Sequence, residues 1–515
     1  MVTTTWITGS GDWNTASNWN NGVPGAGDTA LFDQTVDLNA PYTVTGGGAV
    51  AALTVINGPS QSGTVALAGT VTAGTFTVGY AGLELAGTAA LSFASGQVYK
   101  GELQLDSGAT LGSGPLALTD AGLEGTLGVL ANALDLTGTT RMFQASGTLA
   151  GEVTGSGGLV LGTSNFIPAG GDLVLSHAGN TYAGGTDLVG GRLEIAAPGA
   201  AGTGPVSVDN GSLVLDAGVS VGTINAAIQQ SATVTTVDGN DTVFGGIGFL
   251  TVANGSGHVE VIGRYGVGDP DANFEAPADY ERLSVTGGIG SVTVFAADAK
   301  ATLFGGSAGS NVLVAGTTLA DPTLGFSGRL SATSEGSSIG GGGNGDLLVL
   351  TGNANNLIAA GAGSETLTGA GASGNNTFFG GTGSDLIATG AGRDQVVAGS
   401  GAATISGGSG QAAIFVEAGT DVVLGGIGAD YVQAGAGNAT LFAGAGMDLI
   451  GVINGQAGGN LVVSGFRTAT DHISAQGYAA APVVATSGGN TVLTFSDHTQ
   501  VTLLGVASLP SAAFS

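Results

Sequence analysis

The chain has 515 residues, of which 100 are Gly and none is Cys; 43% are hydrophobic, 9% are charged, and mean hydropathy is +0.37. So much aliphatic side chain excludes a disordered polymer, and small residues interleaved with Val, Leu and Ile exclude long helices in favour of short strands between tight turns. Nine basic against 37 acidic residues give a formal charge of −28, which repels nucleic acid and anionic lipid but supplies oxygen ligands for a hard divalent cation.

Residues 1–40 hold all three tryptophans, Trp6, Trp13 and Trp19. A stack of strands needs its first edge covered, so this segment reads as an aromatic N-terminal cap, with a polymerisation contact or a carbohydrate platform as the other uses of exposed rings. The first residues, Met1 to Trp6, lack the basic and apolar regions of a secretory signal, and no stretch is apolar for long enough to span a bilayer. Export would then use a route without an N-terminal signal, and no membrane insertion is expected.

From 41 to 234, Val, Leu and Ile alternate with Thr, Ser and Gly, as in Leu173-Val-Leu175, Leu193-Glu-Ile195 and Leu213-Val-Leu215. Gly112-Ser-Gly-Pro-Leu-Ala-Leu118 is echoed by Gly202-Thr-Gly-Pro-Val-Ser-Val208, an internal duplication that points to a solenoid. The run from Gly155-Ser-Gly-Gly-Leu159 through Gly179-Asn-Thr-Tyr-Ala-Gly-Gly-Thr186 to Gly190-Gly-Arg-Leu193 resembles the autotransporter-associated β-strand repeat. That resemblance implies a right-handed parallel β-helix. No membrane barrel of alternating strands follows, so the likeness concerns the helix and not the export route.

Residues 235–462 read as a degenerate, then regular, short-period repeat, with an inserted loop at 263–283 rich in charge and aromatics. From Gly380 to Gly451 the chain divides into eight nonapeptides. Position four is Gly throughout: Gly383, Gly392, Gly401, Gly410, Gly419, Gly428, Gly437 and Gly446. Position eight is always aliphatic, from Ile387 and Val396 to Leu441 and Ile450. Each unit is a Gly-rich turn followed by a short strand, and two units make one coil. Position six carries Asp385, Asp394, Asp421, Asp430 and Asp448, carboxylates beside converging turn carbonyls, which is oxygen-cage chemistry for Ca²⁺.

Gly380-Gly-Thr-Gly-Ser-Asp-Leu-Ile-Ala388 and Gly425-Gly-Ile-Gly-Ala-Asp-Tyr-Val-Gln433 resemble the calcium-binding nonapeptide of hemolysin-type, or RTX, proteins. The resemblance implies a parallel β-roll exported by type I secretion. The fold class is therefore all-β, a β-solenoid in which a right-handed parallel β-helix precedes an RTX-type parallel β-roll. With 18 residues per coil, one edge reads Asn376, Asp394, Ala412, Asp430, Asp448 and the other Asp385, Ala403, Asp421, Ala439. Asp430 and Asp448 are then the successive carboxylates on one edge and the best calcium site. Upstream units such as Gly341-Gly-Gly-Asn-Gly-Asp346 and Ala360-Gly-Ala-Gly-Ser-Glu365 read as decayed versions held by apolar stacking.

Residues 463–515 read as a C-terminal cap and type I secretion region, with a hairpin of Thr491–Phe495 and Gln500–Leu504. Catalysis on polyanionic sugar would need clustered cations and an acid–base pair, and neither the nine Lys and Arg nor His177, His258, His472 and His498 form such a set along the chain. The expected function is that of a secreted, calcium-binding structural protein of the bacterial surface, not an enzyme. It assembles with itself into a surface layer or matrix filament, with type I machinery and a cell-surface glycan as further partners and no nucleic acid. An adhesin is the alternative; a polysaccharide lyase or epimerase is the lesser one.

Overall fold

The computed structural model describes the chain apart from residues 37–40, 60–62, 163–169, 227–230, 246–248, 264–281, 296–299, 306–310, 316–337, 342–345, 353–354, 362 and 515. The inserted loop expected at 263–283 lies almost wholly outside the described residues. The chain is an all-β parallel solenoid of about 18 turns. It divides into two compact units, Met1–Val243 and Phe244–Ser515.

In the first unit, strands Thr29–Asp33, Ala49–Ile56, Thr70–Gly79, Ala90–Tyr99, Leu116–Thr119 and Leu134–Thr137 stack in parallel. Their register puts Phe32, Val55, Val78, Val98, Leu118 and Leu136 in one buried column. Across the core, Val65, Leu83, Leu103, Leu123 and Met142 form another. Each such side chain contributes roughly 1.5–3 kcal/mol by leaving water, and this repeated column is what period-two alternation encodes.

Trp6, Trp13 and Trp19 are at most 3% exposed and pack on Phe32 with ring centroids 5.4–5.9 Å away, so they cover the head of the first column. Trp6 donates its indole N–H to the Gly9 carbonyl at 3.0 Å and Trp19 to that of Trp13 at 2.7 Å. With their rings inside, they offer no aromatic face to a second molecule or to a sugar, which removes those two alternatives for this segment.

On the outer face, Glu84, Gln104 and Glu124 share a column. Burial, and then the neighbouring Glu102, pushes the Glu124 carboxyl up to about 8. The folded chain therefore holds this proton more tightly than the unfolded chain does. The stabilisation is full below the ordinary value of 4.5 and is lost as pH rises through about 8. Glu124→Gln is expected to flatten the fall in melting temperature between about pH 5 and pH 8. At the upper end it should gain about 1 kcal/mol, well under the full linkage value because solvent screens a partly exposed group. Thermal melts that run parallel for wild type and variant across that range would show that Glu124 does not carry this proton.

In the second unit, strands such as Ser384–Ala388, Ala402–Ser406, Thr420–Leu424 and Asn438–Phe442 stack on one side. Arg393–Val397, Gln411–Phe415, Tyr431–Gln433 and Leu449–Ile453 stack on the other. Positions six and eight face inward and positions five, seven and nine face out. At the end, Gln500–Leu504 pairs in parallel with Asn460–Ser464 and then antiparallel with Asn490–Thr494, the hairpin expected from the alternation there. A further strand, Val483–Ser487, pairs antiparallel with Asn490–Thr494 and is exposed along its whole length.

Candidate metal centre

Position-four Gly has a steric cause. A Cβ on Gly428 would run into the carbonyl oxygen of Gly410 in the coil beneath, and the same holds for Gly446 over Gly428, Gly401 over Gly383 and Gly419 over Gly401. Coils can stack this closely only where the turn carries no side chain, and the result is a ladder of main-chain carbonyls down each edge.

The strand register places Asp394, Ala412, Asp430 and Asp448 on one edge and Asp385, Ala403, Asp421 and Ala439 on the other. It also extends both series beyond the regular repeat. On the first edge Asp448 is followed by Asp471, so three carboxylates stand in succession. On the second edge Asp346, Glu365 and Asp385 are consecutive. Asp385 therefore has carboxylate neighbours, whereas Asp394 lies between Asn376 and Ala412 and Asp421 between Ala403 and Ala439.

All five aspartates are buried, at 1–4% exposure, and each carboxylate braces the backbone. Asp430 accepts from the Ala412 N–H at 2.9 Å in the coil beneath and from the Gly426 N–H at 2.8 Å in its own turn. Asp448 accepts from Asp430 at 3.3 Å and Gly444 at 3.0 Å. Asp394 accepts from Asn376 at 2.8 Å and Gly390 at 2.9 Å. Asp385 accepts from Glu365 at 3.0 Å and Gly381 at 2.7 Å. Asp421 accepts from Ala403 at 2.9 Å. In the same columns Asn376 braces Asn356 at 3.1 Å, so a neutral amide meets the part of the bracing role that reaches the coil beneath, while its NH2 donates to the Gly374 carbonyl at 2.9 Å.

Charge is the part that bracing does not explain. Burial raises the carboxyls of Asp421, Asp430 and Asp448 above the usual range, and their acidic neighbours Glu417, Asp448 and Asp471 respectively add to it. Burial, then Asp385 and Asp346, pushes Glu365 up to about 7. Both carboxylate oxygens of Glu365 are buried without a hydrogen-bond partner, as is Oδ2 of Asp241, whose Oδ1 accepts from the Val221 and Gly222 N–H groups at 2.8 and 3.1 Å.

These features fit a hard cation: stacked carboxylates, orphaned carboxylate oxygens, and no sulfur or nitrogen donor in either column. The end of the first edge shows the arrangement holding positive charge. There the Arg467 guanidinium donates to the Ala445 carbonyl at 2.7 Å, to the Gly446 carbonyl, and to Asp471 at 3.0 Å. Among the described residues no three acidic or His side chains converge on one point. Carboxylates alone would thus not fill a shell of six to eight oxygens, and turn carbonyls would supply the remainder. The sequence reading missed Asp471, and it took the units ending in Asp346 and Glu365 as decayed copies held by apolar stacking, whereas the register carries both acids in the second column. The signal for each was an acidic residue one place before a strand.

The RTX calcium-binding nonapeptide repeat matches the chain in four copies, over residues 233–249, 370–405 and 413–450. All five aspartates and Asp241 fall within those spans, and the bound ion of such repeats is Ca²⁺. The N-terminal repeat up to residue 232 lies outside the match. No curated protein and no solved structure matches the chain.

Proposed function

We propose that this RTX-type repeat protein is a secreted, calcium-binding structural subunit that assembles with itself into a surface layer or matrix filament. The observation that carries the reading is the strand Val483–Ser487. It has no charged side chain, pairs on one side only among the described residues, and exposes Val483 at 70% and Val484 at 53%. An uncovered strand edge of this kind is a template for another chain, and repeated head-to-tail pairing gives an open assembly. The charge of −28 opposes such packing until cations bridge it. Export by a type I route accords with the RTX repeat, and no helix among the described residues is long and apolar enough to cross a membrane. The reading assigns the chain no catalysis.

Negative-stain electron microscopy tests it. Ordered arrays are expected at millimolar Ca²⁺ and should disperse with chelator. Val484→Lys, which places a charge on the free edge, is expected to leave the circular dichroism unchanged and abolish the arrays. A wild-type protein that stays monodisperse at high concentration with saturating calcium overturns the assembly reading.

A further inference from the structure

Tyr80, Lys100 and Asp120 occupy the same corner of three successive coils, and all three are non-glycine residues with left-handed backbone, at φ 54°, 48° and 47°. Such strain is uncommon and turns these side chains outward together. Beside the corner runs an outer strand column of Gly82, Glu102, Gly122 and Arg141. The Thr64 and Glu102 side chains lean over Gly82 and Gly122. Corner and column together line a cleft of about 290 Å³, near the lower end of small-molecule sites.

Its chemistry is unusual for this chain. Of nine basic residues, Lys100 and Arg141 both line this cleft, and neither is drawn into an ion pair among the described residues. The Lys100 ammonium lies 5.9 Å from the Tyr80 ring centroid and 5.5 Å from that of Tyr99. The two rings meet edge to face at 5.3 Å, with hydroxyls 3.3 Å apart. Both rings are half-buried, and that of Tyr80 lines the cleft.

We propose that this cleft binds a carboxylated saccharide. The Arg141 fork and the Lys100 ammonium supply partners for one carboxylate. Tyr80, braced edge to face by Tyr99, supplies a surface for the C–H face of a sugar ring, and the oxygens of Glu102 and Asp120 accept from its hydroxyls. A phosphorylated ligand is disfavoured by those two carboxylates, and a neutral sugar leaves both cations unpaired. The site goes beyond the assembly reading and does not rest on it.

The test is calorimetric titration of the full-length protein in calcium-containing buffer. Trigalacturonate is the probe, maltotriose the uncharged comparison, and succinate the carboxylate without a sugar. Trigalacturonate is expected to bind, with the other two at least 10-fold weaker. Lys100→Met combined with Arg141→Met should weaken it at least 10-fold at unchanged melting temperature. Arg141→Met alone, which leaves the left-handed corner untouched, should weaken it as well and serves if the double variant misfolds. Absence of trigalacturonate binding, equal binding of maltotriose, succinate binding as tightly, or undiminished binding in folded variants would each overturn the proposal. None of these outcomes bears on whether arrays form.

Discussion

Removal of calcium by a chelator is expected to lower the melting temperature of the second unit by about 10 °C or more. A site held at a hundredfold excess over Kd contributes about 2.7 kcal/mol, and each kcal/mol moves a domain of this size by roughly 2–4 °C. Two occupied stretches, one along Asp430, Asp448 and Asp471 and one along Asp346, Glu365 and Asp385, already reach that shift. The pH dependence should change sign with the metal. Without calcium, burial holds Asp421, Asp430, Asp448 and Glu365 above their ordinary values, so the folded chain binds more protons than the unfolded one. For Glu365 that stabilisation is complete below 4.5 and lost as pH rises through about 7. The apo protein should therefore melt higher at pH 5 than at pH 7. The calcium-loaded protein should melt lower, since protons then displace the ion. Calorimetry at several pH values with and without chelator checks both halves, and a melt insensitive to chelator would refute calcium linkage.

Substitution by Asn separates ligand from brace. Asn376 shows that an amide in this column still accepts the N–H of the coil beneath. Asp430→Asn with Asp448→Asn keeps the bonds from the coil beneath but gives up those from the Gly426 and Gly444 N–H groups, so it should lower apo stability by about 2–4 kcal/mol while removing most of the calcium-dependent rise. Asp394→Asn with Asp421→Asn, at positions with no carboxylate next to them in the column, should preserve most of it. Equal losses in the two pairs would mean that stacking of carboxylates does not set the affinity.

The regular repeat was legible because sterics write it into the sequence: every nine residues a turn passes over a carbonyl and only Gly fits, and every inward position eight must be aliphatic. The ends of the carboxylate columns were not legible by the same phase. Coil length changes from the 18 residues linking Ala412 and Asp430 to 20 between Glu365 and Asp385 and 23 between Asp448 and Asp471. A fixed period loses register there, although the backbone keeps each side chain in its column. Lys100 and Arg141 looked scattered for a related reason, since corner and strand bring together residues two coils apart. Val483–Ser487 carries no inward–outward alternation because neither face is covered, so nothing in its pattern announced a strand.

Gly428→Ala is expected to destabilise the second unit by 4 kcal/mol or more, with calcium present or absent. The obstacle to the new methyl group is the main-chain carbonyl of Gly410, which is fixed by its own coil and cannot swing aside as a side-chain end could. Relief requires separating two coils, which would strain the hydrogen bond from Ala412 to Asp430. Gly419→Ala places the same methyl against the Gly401 carbonyl, beside Asp421, which has no carboxylate next to it in its column, and should cost about as much. Gly27→Ala, with nothing within 4 Å and no left-handed backbone, should stay within about 0.5 kcal/mol of wild type. Chemical denaturation of the three variants in calcium and in chelator distinguishes the causes. If position four is Gly because coils stack, Gly428 and Gly419 lose stability equally in both conditions. A loss confined to calcium-containing buffer, and larger at Gly428, would instead mean that the glycine serves access of the ion to the turn carbonyls.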